Sequence, residues 1–346
     1  MAKTLEFSYH PYTLKLKHTF TVSSFSRNDT PVVLTEIEYD GKVGYGEASL
    51  PQYLGETQDS VMNFLSKIDL RIFEDPLDCD NILNYVENIE DGNNAAKASV
   101  DIALHDLIGK LLDISLYKYF GLNKPKNIYT SYTLGIDRKE IIKTKIDEAK
   151  DFKYLKIKLG ADNEKEIIEI IRSVTNKPLY VDVNQGWKDK KEALDMIEWL
   201  FEKNVILIEQ PLPKENTDDI AWLNERSPLP IIADESVKRL EDIDKMKDIY
   251  SGINIKLMKS TGLREALLMI NKAKGIELKV MLGCMTETSC AVSAAAHLSS
   301  LADWNDLDGP LLISNDLFNG ISYINGEVKL NDLPGIGLIK KSGFFE

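Results

Sequence analysis

From residue 127 onward the chain alternates short apolar runs with longer charged segments, and this alternation limits the folds open to it. The runs fall at 128–134, 154–159, 179–183, 205–208, 231–233, 252–255 and 278–282, with an eighth near Leu307. Between them, stretches such as 164–174, 191–202 and 262–274 carry apolar and charged residues at helical spacing. Short strands separated by helices pair in parallel, because each crossover returns the chain to the same end of the sheet. Eight such units, each of about 25 residues, predict a closed (β/α) barrel, with an open doubly wound sheet as the alternative.

The segment ahead of the barrel has a different texture. Residues 32–39 read as a strand, Asp40-Gly41 as a tight hairpin and 43–47 as the returning strand. Gly41, Gly44 and Gly46 do not form a dinucleotide fingerprint, and no helix opens after them. Asn93-Asn94 offer a helix N-cap. Ala95, Ala98, Ile102, Leu104, Ile108 and Leu111 then recur near helical spacing, with Gly121 as a stop. Strands followed by helices make an α+β unit over 1–125, ending near Pro125, ahead of a barrel over 126–319. A Gly/Pro-rich tail, 320–346, is expected to pack back on the first unit.

With 42 Lys+Arg against 55 Asp+Glu the chain carries −13, which disfavours nucleic acid and anionic membrane surfaces as partners. The first residues lack the apolar core of a signal peptide, and no apolar run is long enough to span a bilayer. Cys79, Cys284 and Cys290 have no CxxC spacing, so a cytoplasmic, reduced setting fits. The oligomeric state is left open, a homo-oligomer included.

Chemistry concentrates at the C-terminal ends of the barrel strands, the face where such barrels build their sites. Lys156 and Lys158 flank one residue on the second strand, so their side chains share a face. Their mutual repulsion is expected to lower at least one pKa, and a base near neutrality needs a lysine moved from about 10.4 to about 7–8. Asp182, Glu209 and Asp234 end the next three strands at intervals of 27 and 25 residues. Three converging carboxylates would repel one another unless they share a hard divalent cation, and an all-oxygen ligand set points to one Mg²⁺ per subunit. Lys256 ends the sixth strand, across the barrel from Lys158. A carboxylate substrate held between them would meet a lysine on each face of its α-carbon, and the metal and lysines would stabilise the enediolate left by proton removal. Lys259 reads as structural or solvated. His10, His18, His105 and His297 lie away from the strand ends and read as structural.

Over essentially its whole length the chain resembles the muconate-lactonizing branch of the enolase superfamily. The matching residues are Lys156-x-Lys158, Asp182-Val183-Asn184, Glu209-Gln210-Pro211, Asp234-Glu235-Ser236, Asn254-Ile255-Lys256 and the 98–110 segment. The resemblance implies a (β/α)7β barrel under a capping domain formed by the N-terminal segment and completed by the tail. Asp306-x-Asp308 resembles the acidic pair with which dipeptide epimerases of this branch hold the substrate's ammonium group. The Gly283-Cys284-Met285-Thr286-Glu287 segment is similar to theirs and lacks the histidine of the mandelate-racemase branch, so Cys284 and Met285 are expected at the substrate, with Thr133 from the first strand. The implied reaction is inversion at the α-carbon of the C-terminal residue of a small dipeptide. Lys158 and Lys256 would be the acid/base pair, with Lys156 tuning Lys158. Relatives acting on Ala-Glu carry an arginine in the first capping loop. Here that place falls nearest Phe25, with Arg27 two residues on, which leaves the preferred dipeptide open. The rival within the branch is a lyase or cycloisomerase such as o-succinylbenzoate synthase or muconate cycloisomerase, whose substrates lack an ammonium group for Asp306 and Asp308. A barrel that only binds a ligand would have no use for the opposed lysines.

Overall fold

The computed structural model describes residues 4–21, 26–135, 139–160 and 163–341. Strand β1 (Glu6–Thr21) pairs antiparallel with β2 (Ser26–Tyr39), which pairs antiparallel with β3 (Lys42–Ser49). Asp40 and Gly41 turn the hairpin with φ of 52° and 71°, the left-handed pair that a two-residue turn of this hand requires. Four helices follow: α1 (Gln58–Leu65), α2 (Cys79–Glu87), α3 (Asn94–Leu111) and α4 (Leu116–Tyr119). Gly44 and Gly46 explain how α3 sits on the sheet. A Cβ on either would overlap a backbone carbonyl of α3, at Ala103 or Ser99, so the missing side chains let helix and strand meet backbone to backbone.

Two details differ from the sequence reading. The helix stops at Leu111, and Gly121, with φ of 69°, closes the short α4 instead. Asn93 makes no side-chain cap; the Glu56 carboxylate takes the Ala95 and Ala96 N–H groups at 3.0 and 3.3 Å.

The barrel strands are β4 (Ser131–Leu134), β5 (Tyr154–Lys158), β6 (Leu179–Asp182), β7 (Val205–Glu209), β8 (Ile231–Ala233), β9 (Gly252–Ile255), β10 (Lys279–Gly283) and β11 (Trp304–Asp306). They pair in parallel in chain order, and a parallel bridge from Thr130 to Asn305 brings the last back to the first. The flanking helices are α5 (Lys139–Glu148), α6 (Glu164–Arg172), α7 (Lys190–Glu202), α8 (Thr217–Arg226), α9 (Ile243–Met246), α10 (Leu263–Gly275) and α11 (Ser289–Ala296). Inside the barrel, Tyr180, Leu207, Ile232 and Met281 form an apolar cluster separate from the main core. The first three stand two residues before Asp182, Glu209 and Asp234, so strand alternation stacks them as a dry floor beneath the carboxylates.

The tail returns to the N-terminal sheet and α3. Ile336 N–H donates to Asp106 Oδ1 at 2.9 Å, Gly335 bridges to Ser115, and Lys340 Nζ lies 2.8 Å from Glu36 Oε1. Among the described residues no helix is long and apolar enough to cross a membrane.

Candidate active site

The parallel register sets the side chains next to one another. Lys158 on β5 is level with Asp182 on β6, and Asp182 is level with Glu209 on β7. The chain leaves these strands through Asn184, Gln185 and Gln210, all at positive φ (47°, 66° and 39°). Such backbone costs about 1–3 kcal/mol per residue and persists only where its surroundings enforce it. Gln210 shows the enforcement. Its Oε1 accepts from Asp234 N at 3.0 Å and Ser236 N at 3.2 Å, while its Nε2 donates to Tyr250 Oη at 2.9 Å, locking the end of β8 to that of β7.

Asp182, Glu209 and Asp234 are buried and each offers an oxygen within 4.8 Å of the others. Lysines ring the three acids. Lys158 Nζ lies 2.6 Å from Asp182 Oδ2, and Lys256 Nζ lies 2.7 Å from Asp234 Oδ2. Lys156 Nζ reaches Asp306 Oδ2 at 2.7 Å, Glu209 Oε2 at 2.8 Å and Asp182 Oδ2 at 3.1 Å. Lys259, expected to be structural or solvated, is fully buried and donates to Asp234 Oδ1 at 2.6 Å.

At Lys156 the electrostatics run against the expected repulsion. Burial works to lower the pKa of Lys156, but Asp306, Glu209 and Asp182 outweigh it and hold the ammonium well above its ordinary range. Lys256 behaves alike: burial lowers, Asp234 and Tyr53 raise, and the net shift is strongly upward. Repulsion between Lys156 and Lys158 therefore does not govern Lys156, because its carboxylate neighbours are nearer partners. Burial would raise Asp182 and Asp234, yet their lysines bring both below the usual carboxylate range. Glu209 stays raised, by burial and by Asp182.

Above this charged floor is a cleft of about 150 Å³. Lys156, Lys158, Lys256, Asp234, Thr133, Asp306, Asp308, Cys284, Met285 and Arg27 all line it, while Asp182 and Glu209 lie beneath. Asp306 ends β11 and accepts from Ser131 Oγ at 2.6 Å as well as from Lys156. Asp308 stands past the strand, at the start of a 3-10 turn, and accepts from Thr133 N at 2.6 Å. Burial, then the neighbouring Asp306, pushes Asp308 up to about 7. Arg27 is not on a loop: it lies in β2, opposite Phe20. Its Nη2 donates to Thr286 Oγ1 at 2.9 Å, and burial lowers its guanidinium to about 10. Phe25 lies outside the described residues.

Sequence reasoning missed several lining residues, among them Pro51, Tyr53, Asn184 and Glu235. Asn184 and Glu235 sat inside the motifs already singled out, and Asn184 Nδ2 donates to Glu235 Oε1 at 3.2 Å. Burial and Asp234 raise Glu235 to about 7. Pro51 and Tyr53 come from the N-terminal unit, where nothing local marks them. Tyr53 Oη lies 3.1 Å from Met285 Sδ. None of the four histidines lines the cleft.

The donor set fits a hard divalent cation: three buried carboxylates, oxygen only, on three rigid strand ends. Asp182, Glu209 and Asp234 would hold Mg²⁺.

Residues 141–339 match the family described as enolase C-terminal domain-like, and residues 9–121 match the mandelate racemase / muconate lactonizing enzyme N-terminal domain. The chain belongs to the enolase superfamily. Similar members of this superfamily include an L-Ala-D/L-Glu epimerase from Bacteroides thetaiotaomicron, 56% identical over 97% of this chain and 88% of that protein. The solved structure of a substrate-liganded L-Ala-D/L-Glu epimerase from Bacillus subtilis superposes with a TM-score of 0.91 at 28% identity, covering 98% of this chain and 99% of the other. A dipeptide epimerase from Cytophaga hutchinsonii, solved with Mg and the dipeptide D-Ala-L-Val, superposes with a TM-score of 0.89 at 28% identity, covering 99% and 97%.

Proposed function

We propose that this chain is a Mg²⁺-dependent dipeptide epimerase that inverts the α-carbon of the C-terminal residue of a small dipeptide, Xaa-Glu or related. The observation that carries the reading is the pair of lysines, Lys158 and Lys256, set on opposite sides of the acid triad and both facing one cleft. Magnesium, when bound, supplies positive charge that holds the substrate carboxylate and favours the enediolate. The rest is done by the chain. One of Lys158 and Lys256, as the amine, takes the α-proton from its face, and the other, as the ammonium, returns a proton to the opposite face. Lys156, locked among Asp306, Glu209 and Asp182, stays charged and adds to the field that stabilises the dianion. The dry floor of Tyr180, Leu207, Ile232 and Met281 keeps water from beneath.

Asp306 and Asp308 face the same cleft and suit a free ammonium group. This favours a dipeptide over the substrates of the lyase and cycloisomerase branches, which carry none. Arg27, from β2, lines the cleft, and its guanidinium would meet an acidic side chain on the second residue. The 56% identity to an L-Ala-D/L-Glu epimerase supports that preference. The three free cysteines and the acidic balance suit a cytoplasmic enzyme of small-molecule metabolism.

The test is α-proton exchange in deuterium oxide with Mg²⁺ and a mixed dipeptide library, read as a mass gain of one unit per dipeptide. Exchange is expected for Ala-Glu and its relatives, and Lys158→Ala or Lys256→Ala should cut it about 10²–10⁴-fold. No exchange with any dipeptide would sink the reading in favour of the lyase and cycloisomerase chemistries.

A further inference from the structure

Thr286 lies between β10 and α11, on the segment where the N-terminal unit grips the barrel, and it is buried. Ser49 Oγ donates to its carbonyl oxygen at 2.8 Å, and Glu47 Oε1 accepts from Thr288 N at 3.0 Å. These two contacts from β3 hold the backbone of the segment, so the tie between the units does not call on the Thr286 hydroxyl. That hydroxyl is turned to another partner: Oγ1 accepts from Arg27 Nη2 at 2.9 Å. A hydroxyl that accepts a hydrogen bond still has one hydrogen of its own to give. Among the described residues no acceptor takes it. Thr286 lines the cleft beside Arg27, and the cleft is where that hydrogen can find an acceptor.

A buried threonine after a strand is often no more than polar filling, and its hydroxyl then satisfies a neighbouring backbone group. Here the backbone groups are met by Ser49 and Glu47, and the hydroxyl meets a guanidinium instead. Threonine is neutral, so the contact turns the guanidinium without cancelling its charge. In the reading above, the acid triad and the opposed lysines serve the α-carboxylate and α-carbon, and Asp306 with Asp308 serves the ammonium group. The lining left for the side chain of the C-terminal residue includes Arg27, Pro51, Tyr53 and Thr286. A carboxylate there has two oxygens and about four lone-pair sites, more than one guanidinium fills. A methionine side chain of similar length has no good acceptor and would leave the buried hydroxyl hydrogen unpaired, which counts against it.

Resting on the dipeptide-epimerase reading, we propose that Thr286 is a specificity-determining residue: it orients Arg27 and donates a second hydrogen bond to the side-chain carboxylate of an acidic C-terminal residue. Selection by Thr286 then runs both ways, favouring Ala-Glu and disfavouring its apolar isosteres.

The experiment measures kcat and KM for Ala-Glu, and the inhibition constant of Ala-Met against Ala-Glu exchange, in the full chain with Mg²⁺. Using Ala-Met as a competitor gives its affinity whether or not it is turned over. Thr286→Val keeps the shape and removes the hydroxyl. The preference for Ala-Glu over Ala-Met should fall about 10–10²-fold, carried by KM more than by kcat, because the lost bond lies away from the reacting carbon. Thr286→Ser, which restores the hydroxyl, should keep the preference within about threefold of the unsubstituted chain. A Thr286→Val variant that weakens both dipeptides equally, or neither, would overturn the proposal, since a purely structural threonine leaves the ratio alone. If that variant fails to fold, Thr286→Ala is read in the same way. Arg27→Met separates this from the underlying reading. A preference that collapses with Arg27→Met but survives Thr286→Val sinks the role of Thr286 alone, whereas no exchange of any dipeptide by the unsubstituted chain sinks both.

Discussion

Lys259 is 1% exposed, and its ammonium donates to Asp234 Oδ1 at 2.6 Å, Asp234 O at 2.7 Å and Asn254 O at 2.9 Å. It ties the end of β8 to β9 without reaching the cleft. Lys259→Met keeps the length but takes the donor from Asp234 Oδ1 and two carbonyls, leaving Asp234 paired with Lys256 alone, so urea unfolding should show a loss of about 1–3 kcal/mol. A loss under about 1 kcal/mol would mean the contact is incidental. His297 gives the second case at this scale. Its Nδ1 accepts from Tyr117 N at 3.0 Å, and burial lowers its pKa to about 4. Between that value and the unfolded value of about 6.5 the unfolded chain binds the extra proton, so stability falls as the solution is acidified through this window. The contribution is about 2 kcal/mol between pH 7 and pH 5, and His297→Gln should remove that part of the slope in paired unfolding curves.

Among elements, the contact of β3 with α3 is the least tolerant of added volume. Gly46→Ala would push a methyl into the Ser99 carbonyl, where backbone cannot yield, and thermal unfolding should show about 1–3 kcal/mol lost or more. Gly275→Ala, at the end of α10, meets nothing within 4 Å and should stabilise by up to about 1 kcal/mol. If the two variants melted alike, close packing of α3 on the sheet would not be what sets these glycines. The elements that were easiest to read explain why the site was readable too. Parallel strands are buried on both faces and appear as continuous apolar runs, so a lysine or acid at the end of each stands out. Tyr53, Pro51 and the true setting of Arg27 were not legible, because long-range packing of the N-terminal unit over the barrel places them. The cap of α3 was misread for the same reason: Glu56, distant in sequence, replaces the adjacent Asn93. The sign of the Lys156 shift depended on Asp306 and Glu209, partners from other strands that its own strand does not reveal.

For the molecule as a whole, a cation bound only by the folded chain must stabilise it. Mg²⁺ at about 100 times its Kd should add about 2.7 kcal/mol, seen as a rise in Tm of several degrees that a chelator reverses. Asp182→Asn should lose that rise; a variant that kept it would move the metal away from the triad. The tail sets another whole-molecule constraint. Asp106 on α3 accepts from Tyr45 N at 2.9 Å and Lys110 Nζ at 2.6 Å, and from Ile336 N, 230 residues later, at 2.9 Å. A ribosome adding about 5–20 residues per second leaves roughly 10–50 s between the two ends of that contact. Through that interval the nascent sheet and α3 wait with a buried carboxylate short of one partner, while every barrel strand emerges behind them. A messenger cut shortly before the codon for residue 336 would therefore release a chain with Lys156, Lys158, Lys256 and the three acids all present but with the Asp106 carboxylate permanently short of that partner.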